Sequence, residues 1–323
     1  MSSLPFLLLA AAAAAPVPIR APAPPSILET ERGAVDRETQ AKDVAIRRDI
    51  DDRLTVGVTI SGAGPYRFLV DTGADSTAVS SSLVNRLSLL PGEGVSLHSM
   101  TGVSAVRTVQ LPAMQLGNAG QIKIAEAPVL EADHMGADGI LGTDSLRSQR
   151  VVFDFDRNRM TIVPSQQPVE RDDGTIIVTG RLKNGRLIVT NALADDTPVT
   201  VVLDTGSEIT VGNEALRQRL ARGGQLTSSG PVELQSVTGA MLPGEYMFLK
   251  ELEMRDVKLK QLAVVFAPAH TFHKLGLDDK PALLLGMNAL KAFRKVSIDF
   301  ANRKLRVLLR DSSSRDEILL AAR

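Results

Sequence analysis

The chain repeats itself once along most of its length, and each copy turns on an acid. The stretch at 53–73, "RLTVGVTISGAGPYRFLVDTG", aligns without a gap on 186–206, "RLIVTNALADDTPVTVVLDTG". Arg53 and Arg186 each lie 18 residues before an Asp (71 − 53 and 204 − 186), and Pro65 and Pro198 each lie six before it. The match runs on through Asp71-Thr72-Gly73-Ala74-Asp75 against Asp204-Thr205-Gly206-Ser207-Glu208, with Thr77 opposite Thr210. Further on, "SMTG" at 99–102 answers "SVTG" at 236–239, and "DGILGTDSLRSQRVVFDFDRNRMTIV" answers "ALLLGMNALKAFRKVSIDFANRKLRVL". A repeat of well over a hundred residues is a duplicated lobe and not a short-period solenoid.

Short apolar runs punctuated by Gly, Pro, Asn and Asp predict strands throughout, so each lobe is expected to be β-rich. Asn184-Gly185 predicts a tight hairpin at the start of the second lobe. The lobes are expected at 51–164 and 172–310, joined near "SQQPVERDDG" and followed by a tail at 311–323.

An apolar strand that ends on a carboxylate is costly unless something satisfies the charge. Two related lobes packed about a pseudo-twofold axis supply the answer, because Asp71 then meets Asp204. Two carboxyls about 3 Å apart cannot both ionise at moderate pH and hold one proton between them. Such a pair can deprotonate water and protonate a leaving amine. Gly73 and Gly206 allow the close backbone approach this needs. The hydroxyls of Thr72 and Thr205 are placed to bond across to the opposite loop.

At these residues the chain resembles the aspartic peptidases. "LVDTGADST" is similar to the retroviral (retropepsin) form of the active-site loop, and "VLDTGSEIT" to the pepsin form. The family's second signature, two apolar residues and a Gly behind each loop, is matched by Ile140-Leu141-Gly142 and Leu284-Leu285-Gly286. The resemblance covers roughly residues 51–310 and implies an all-β fold of two retropepsin-like lobes. It also implies catalytic Asp71 and Asp204, with Thr72, Gly73, Thr205, Gly206 and Ser207 supporting the loops. Flaps are expected around Thr101-Gly102 and Thr238-Gly239. Retroviral enzymes carry Arg after the second-signature Gly, where Thr143 and Met287 stand here, and the pepsin flap tyrosine is missing, so two retroviral-type flaps are expected. In the pepsin form a hydroxyl after the loop Gly donates to its Asp. Ser207 could do this and Ala74 could not, which predicts that Asp204 carries more of the negative charge.

The implied activity is endopeptidase cleavage of extended polypeptides by a monomer, with no metal or organic cofactor. Two other readings stand beside it: a peptide-binding module that has lost turnover, and a metal hydrolase, which would want further ligands near the acids. Asp75 and Glu208 read as turn-stabilising groups or ion-pair partners for Arg. His270 and His273 read as a loop pair and not as metal ligands. Balanced charge (37 Lys+Arg, 37 Asp+Glu) and 3% aromatics give no footing for nucleic acid.

The first 25 residues read as a signal peptide and a Pro/Ala-rich linker, with Phe6–Ala15 as the apolar core, although the n-region lacks Lys and Arg. Export to the periplasm or medium is therefore expected, without stable membrane insertion of the mature chain. The charged segment at 26–50 reads as helical or disordered, and as a candidate pro-segment.

Overall fold

The computed structural model describes residues 26–29, 43–45, 47–48, 54–116, 120–169, 172–224 and 227–310. The leader at 1–25, Arg53, most of the 26–50 segment and the tail at 311–323 lie outside these residues. No described helix is long and apolar enough to cross a membrane.

Each lobe is built around one long sheet. In the first, the order is Gln121–Ile122, Met114–Leu116, Leu54–Ile60, Ala63–Val70, Gly139–Leu141, Ala78–Ser80, Glu126–Leu130, Gly102–Gln110, Pro91–Ser99. In the second, it is Ser26–Glu29, Val257–Phe266, Thr210–Gly212, Ala282–Leu285, Thr197–Leu203, Arg186–Ala194, Met241–Met254, Thr227–Gln235. The apolar runs before each Asp form central strands. Phe68, Leu69 and Val70 pair in parallel with Gly139, Ile140 and Leu141, and Val201, Val202 and Leu203 pair in parallel with Leu283, Leu284 and Leu285. Strands covered on both faces are continuously apolar, which is why the alternation seen earlier in each strand gives way to a solid run.

The third sheet joins the lobes in the order Thr175–Thr179, Lys304–Leu308, Lys295–Asp299, Gln149–Asp154, Arg159–Pro164, Asp43–Ala45. Its register states the symmetry directly. Positions 145 apart in the sequence are repeat equivalents here (297 − 152), and Val152 pairs with its own equivalent, Ser297. Arg150 pairs with Asp299 while Asp154 pairs with Lys295, so the contacts exchange about an axis through Val152 and Ser297. Asp299 is fully buried between Arg150 of the first lobe, at 3.9 Å, and Arg306, at 3.5 Å.

Two local expectations resolve differently. Asn184-Gly185 is indeed a two-residue hairpin loop: Lys183 pairs with Arg186, and φ is +50° at Asn184 and +80° at Gly185, the left-handed pair that such turns require. The charged N-terminal segment, expected to be helical or disordered, is strand wherever it is described. Ser26–Glu29 and Asp43–Ala45 extend the edges of two different sheets, Arg47–Arg48 pairs with the start of Leu54–Ile60, and such backbone pairing can override a sequence with little strand character.

Candidate active site

Each Asp-Thr-Gly turn leaves the end of a buried strand and is pinned from behind. The Asp71 N–H donates to the Leu141 carbonyl (3.0 Å) and the Asp204 N–H to the Leu285 carbonyl (3.1 Å). Thr143 N–H reaches the Ala74 carbonyl (2.9 Å) and Met287 N–H the Ser207 carbonyl (2.8 Å). A Cβ on Gly142 would lie 2.5 Å from Ser76 C, and one on Gly286 would lie 2.5 Å from the Ile209 carbonyl oxygen. The second-signature glycines are therefore required by the backbone passing over them.

Across the lobes the two turns interlock. Thr72 N–H donates to Thr205 Oγ1 (3.0 Å) and Thr205 N–H to Thr72 Oγ1 (3.1 Å). The hydroxyls then donate onward, Thr72 Oγ1 to the Leu203 carbonyl (2.9 Å) and Thr205 Oγ1 to the Val70 carbonyl (2.6 Å). Both threonines are buried, so all four bonds form away from competing water. Each glycine faces the other lobe's acid. A Cβ on Gly73 would stand 2.5 Å from Asp204 Oδ1, and one on Gly206 would collide with the Asp71 carboxyl. The structure thus brings Asp71, Thr72, Gly73, Asp204, Thr205 and Gly206 to one place.

The two carboxyls are not equivalent. Asp71 Oδ1 accepts from Gly73 N–H (2.7 Å) and Ala74 N–H (3.0 Å), and Asp204 Oδ1 accepts from Gly206 N–H (3.1 Å). Burial, then the neighbouring Asp71 charge, push Asp204 up to about 7, against weaker opposing effects of Arg186 and the loop N–H groups. The expected negative bias on Asp204 is not what the structure gives. Ser207 Oγ donates to the Ile209 carbonyl (2.7 Å), leaving the hydroxyl spent inside its own turn. The hydroxyl therefore gives no support to a charge on Asp204, whose carboxyl is raised by burial and by the neighbouring Asp71.

Three supporting residues carried no role in the sequence reading. Asp144 accepts from Thr77 N–H (2.9 Å, to Oδ2) and Thr77 Oγ1 (2.7 Å, to Oδ1), and Asn288 accepts from Thr210 N–H (2.9 Å) and Thr210 Oγ1 (2.8 Å). Both stand two residues after the signature Gly, a spacing that could have marked them. Arg186 crosses between lobes: its Nε donates to the Gly73 carbonyl at 2.5 Å, and its Nη1 is 3.1 Å from Asp75 Oδ1. Its fixed distance from Asp204 inside an apolar strand was the available signal. Asp75 is thus an ion-pair partner for Arg, and it also meets Lys274 Nζ at 2.9 Å.

The expected flap residues stand at hairpin tips. Ser99 pairs with Gly102 around Met100-Thr101, and Gln235 pairs with Met241 around a turn that holds Thr238 and Gly239. Each tip rests on the opposite lobe. His270 N–H donates to the Met100 carbonyl (2.8 Å), while a Cβ on Gly239 would lie 2.5 Å from His134 Nε2. His270 and His273 belong to a short helix, His270–Lys274, and not to a loop. His273 Nδ1 is 3.0 Å from Asp278 Oδ2. No cluster of three or more His, Asp or Glu fit to hold a metal ion occurs among the described residues.

Comparison with known families gives one match: a family model described as aspartyl protease, over residues 56–145 and 189–289. Its two segments contain one Asp-Thr-Gly loop each. Comparison with curated proteins gives no match.

Proposed function

The chain belongs to the aspartyl protease family, and we propose that it is an active endopeptidase in which Asp71 and Asp204 activate water against a peptide bond. The observation that carries this reading is the mutual approach of the two loops, each glycine seated on the other lobe's carboxyl. With the proton on Asp204, Asp71 takes a proton from water as the oxygen attacks the carbonyl carbon. Asp204 gives its proton to the carbonyl oxygen. The resulting tetrahedral diol collapses when Asp71 returns a proton to the departing nitrogen and Asp204 recovers one from a hydroxyl, so the pair ends as it began.

The mechanism needs one proton on the pair, so activity should fall as pH passes about 7, where Asp204 loses it. Thr101-Gly102 and Thr238-Gly239 cover the bound peptide, which pairs with them in extended form. Both half-sites come from one chain, which supports action as a monomer. We also propose export, on the strength of the apolar run Phe6–Ala15. N-terminal sequencing of protein from the envelope or medium should then begin beyond about Ala12, and an intact Met1 on cytosolic protein would count against it.

The test of the activity is incubation with an unstructured polypeptide from pH 3 to 7, with and without a chelator and a statine-type inhibitor. Cleavage that survives the chelator and is stopped by the statine supports the reading. Absence of cleavage, or cleavage abolished by the chelator, refutes it.

A further inference from the structure

Resting on the reading of the site as a peptide-cleaving cleft, we infer that one end of the cleft selects substrates carrying an acidic side chain, with Lys274 as the specificity-determining residue. The helix His270–Lys274 connects the floor of the cleft to its roof. At the floor, Lys274 Nζ is 2.9 Å from Asp75 Oδ2, and Asp75 is the fourth residue after Asp71 in the same loop. At the roof, His270 N–H holds the Met100 carbonyl at the tip of the first-lobe flap, and the His270 ring stacks on His98 of that flap with Nε2 and Nδ1 2.9 Å apart. A peptide passing between loop and flap at this end runs along this helix.

The two cations beside Asp75 face different ways. The buried Arg186 is held inward by the Gly73 carbonyl and its charge also acts on Asp204, so the cation that reaches solvent here is Lys274, whose side chain is 30% exposed. An ammonium has three N–H donors, and Asp75 accounts for one. Desolvation, then Lys274, then His270 hold His98 below the ordinary imidazole range, with Asp75 opposing, so the fixed charge near neutrality is that of Lys274. His273 is matched by Asp278.

At the opposite end the tip of the second flap meets His134 of the helix Ala132–Met135, which carries no lysine or arginine. A pseudo-symmetric pair of acids reads a peptide equally in either direction, and a lysine on the helix at one end alone removes that equivalence by favouring an acidic residue beside Lys274.

The experiment is cleavage-site profiling on a mixture of unstructured peptides varied at every position near the scissile bond. Wild type should enrich Glu and Asp about three- to five-fold at one or two positions on one side of the cut, as fits a partly exposed pair. The enrichment should shrink as salt rises. Lys274→Gln should remove it, and Lys274→Glu should replace it with Lys and Arg at the same positions. Lys274 is partly exposed, and matching melting temperatures would verify that both variants fold. As a second readout, binding of Glu- and Gln-containing versions of one peptide to the Asp204→Asn chain should show the same discrimination without turnover. No cleavage by any form would count against the proposed activity and leave the binding arm to judge Lys274. Cleavage with no acidic enrichment, or enrichment untouched in Lys274→Glu, would overturn this inference alone.

Discussion

At pH 8 the Asp204→Asn variant should be more stable than the wild-type chain, even though it should cleave nothing. Asp204 is raised from 3.8 to about 7 by burial and by the charge on Asp71. An acid raised in this way binds its proton more tightly folded than unfolded. Its favourable contribution is complete below about pH 4 and is lost as pH climbs through about 7. At about 1.4 kcal/mol for each pKa unit, the loss is at most about 4 kcal/mol. An Asn at 204 keeps the acceptor that Gly206 N–H uses and offers Asp71 an N–H2 donor in place of the acid's O–H. It therefore imitates the protonated acid at every pH. Thermal or urea melts at pH 4.5 and pH 8 test this. At roughly 2–4 °C per kcal/mol, the variant should melt at least about 5 °C higher at pH 8 and within about 2 °C of wild type at pH 4.5. A variant less stable at pH 8, or a gap of equal size at both pH values, would refute the assignment of the proton to Asp204.

Arg186→Met removes a buried cation that holds the Gly73 carbonyl and Asp75, and should cost about 3 kcal/mol in urea unfolding. It also removes the charge that lowers Asp204, so the alkaline limb of the pH–kcat/KM profile should move up, and a limb that stays put would contradict that coupling. Asp144→Asn should stay within about 1 kcal/mol of wild type, because Asn288 already performs the same task in the other lobe, whereas Asp144→Ala should cost about 2 kcal/mol for the Thr77 donors it orphans. Specific activity should hold on dilution to nanomolar enzyme, and a steep fall would show that a second copy completes the site.

The dyad, its threonine hydroxyls and the crossed glycines were legible because the repeat puts them in register, and symmetry then forces equivalent residues together. The hairpin at Asn184-Gly185 was legible because its backbone angles are chosen locally. Ser207 was misread: in sequence it has one obvious acceptor, while in the folded turn the Ile209 carbonyl competes for its hydroxyl and wins. Arg186 is marked by its repeated distance from Asp204, but the meeting of Arg186 and Lys274 at Asp75 is not, because they converge on it from segments 111 and 199 residues away (186 − 75 and 274 − 75). No local pattern encodes that meeting. The edge strands of the N-terminal segment were missed for a related reason, since the partner sheets and not the segment itself supply their pairing.

The proposed sharing of one proton by Asp71 and Asp204 is tested most directly by single-variant turnover. Wild type, Asp71→Asn and Asp204→Asn, each verified to be folded, are assayed on the same unstructured polypeptide at pH 5. Wild type should cleave it and each variant alone should lose at least about a thousandfold, because neither half of the pair can both take and give the protons. Turnover by either Asn variant within about tenfold of wild type would contradict that sharing.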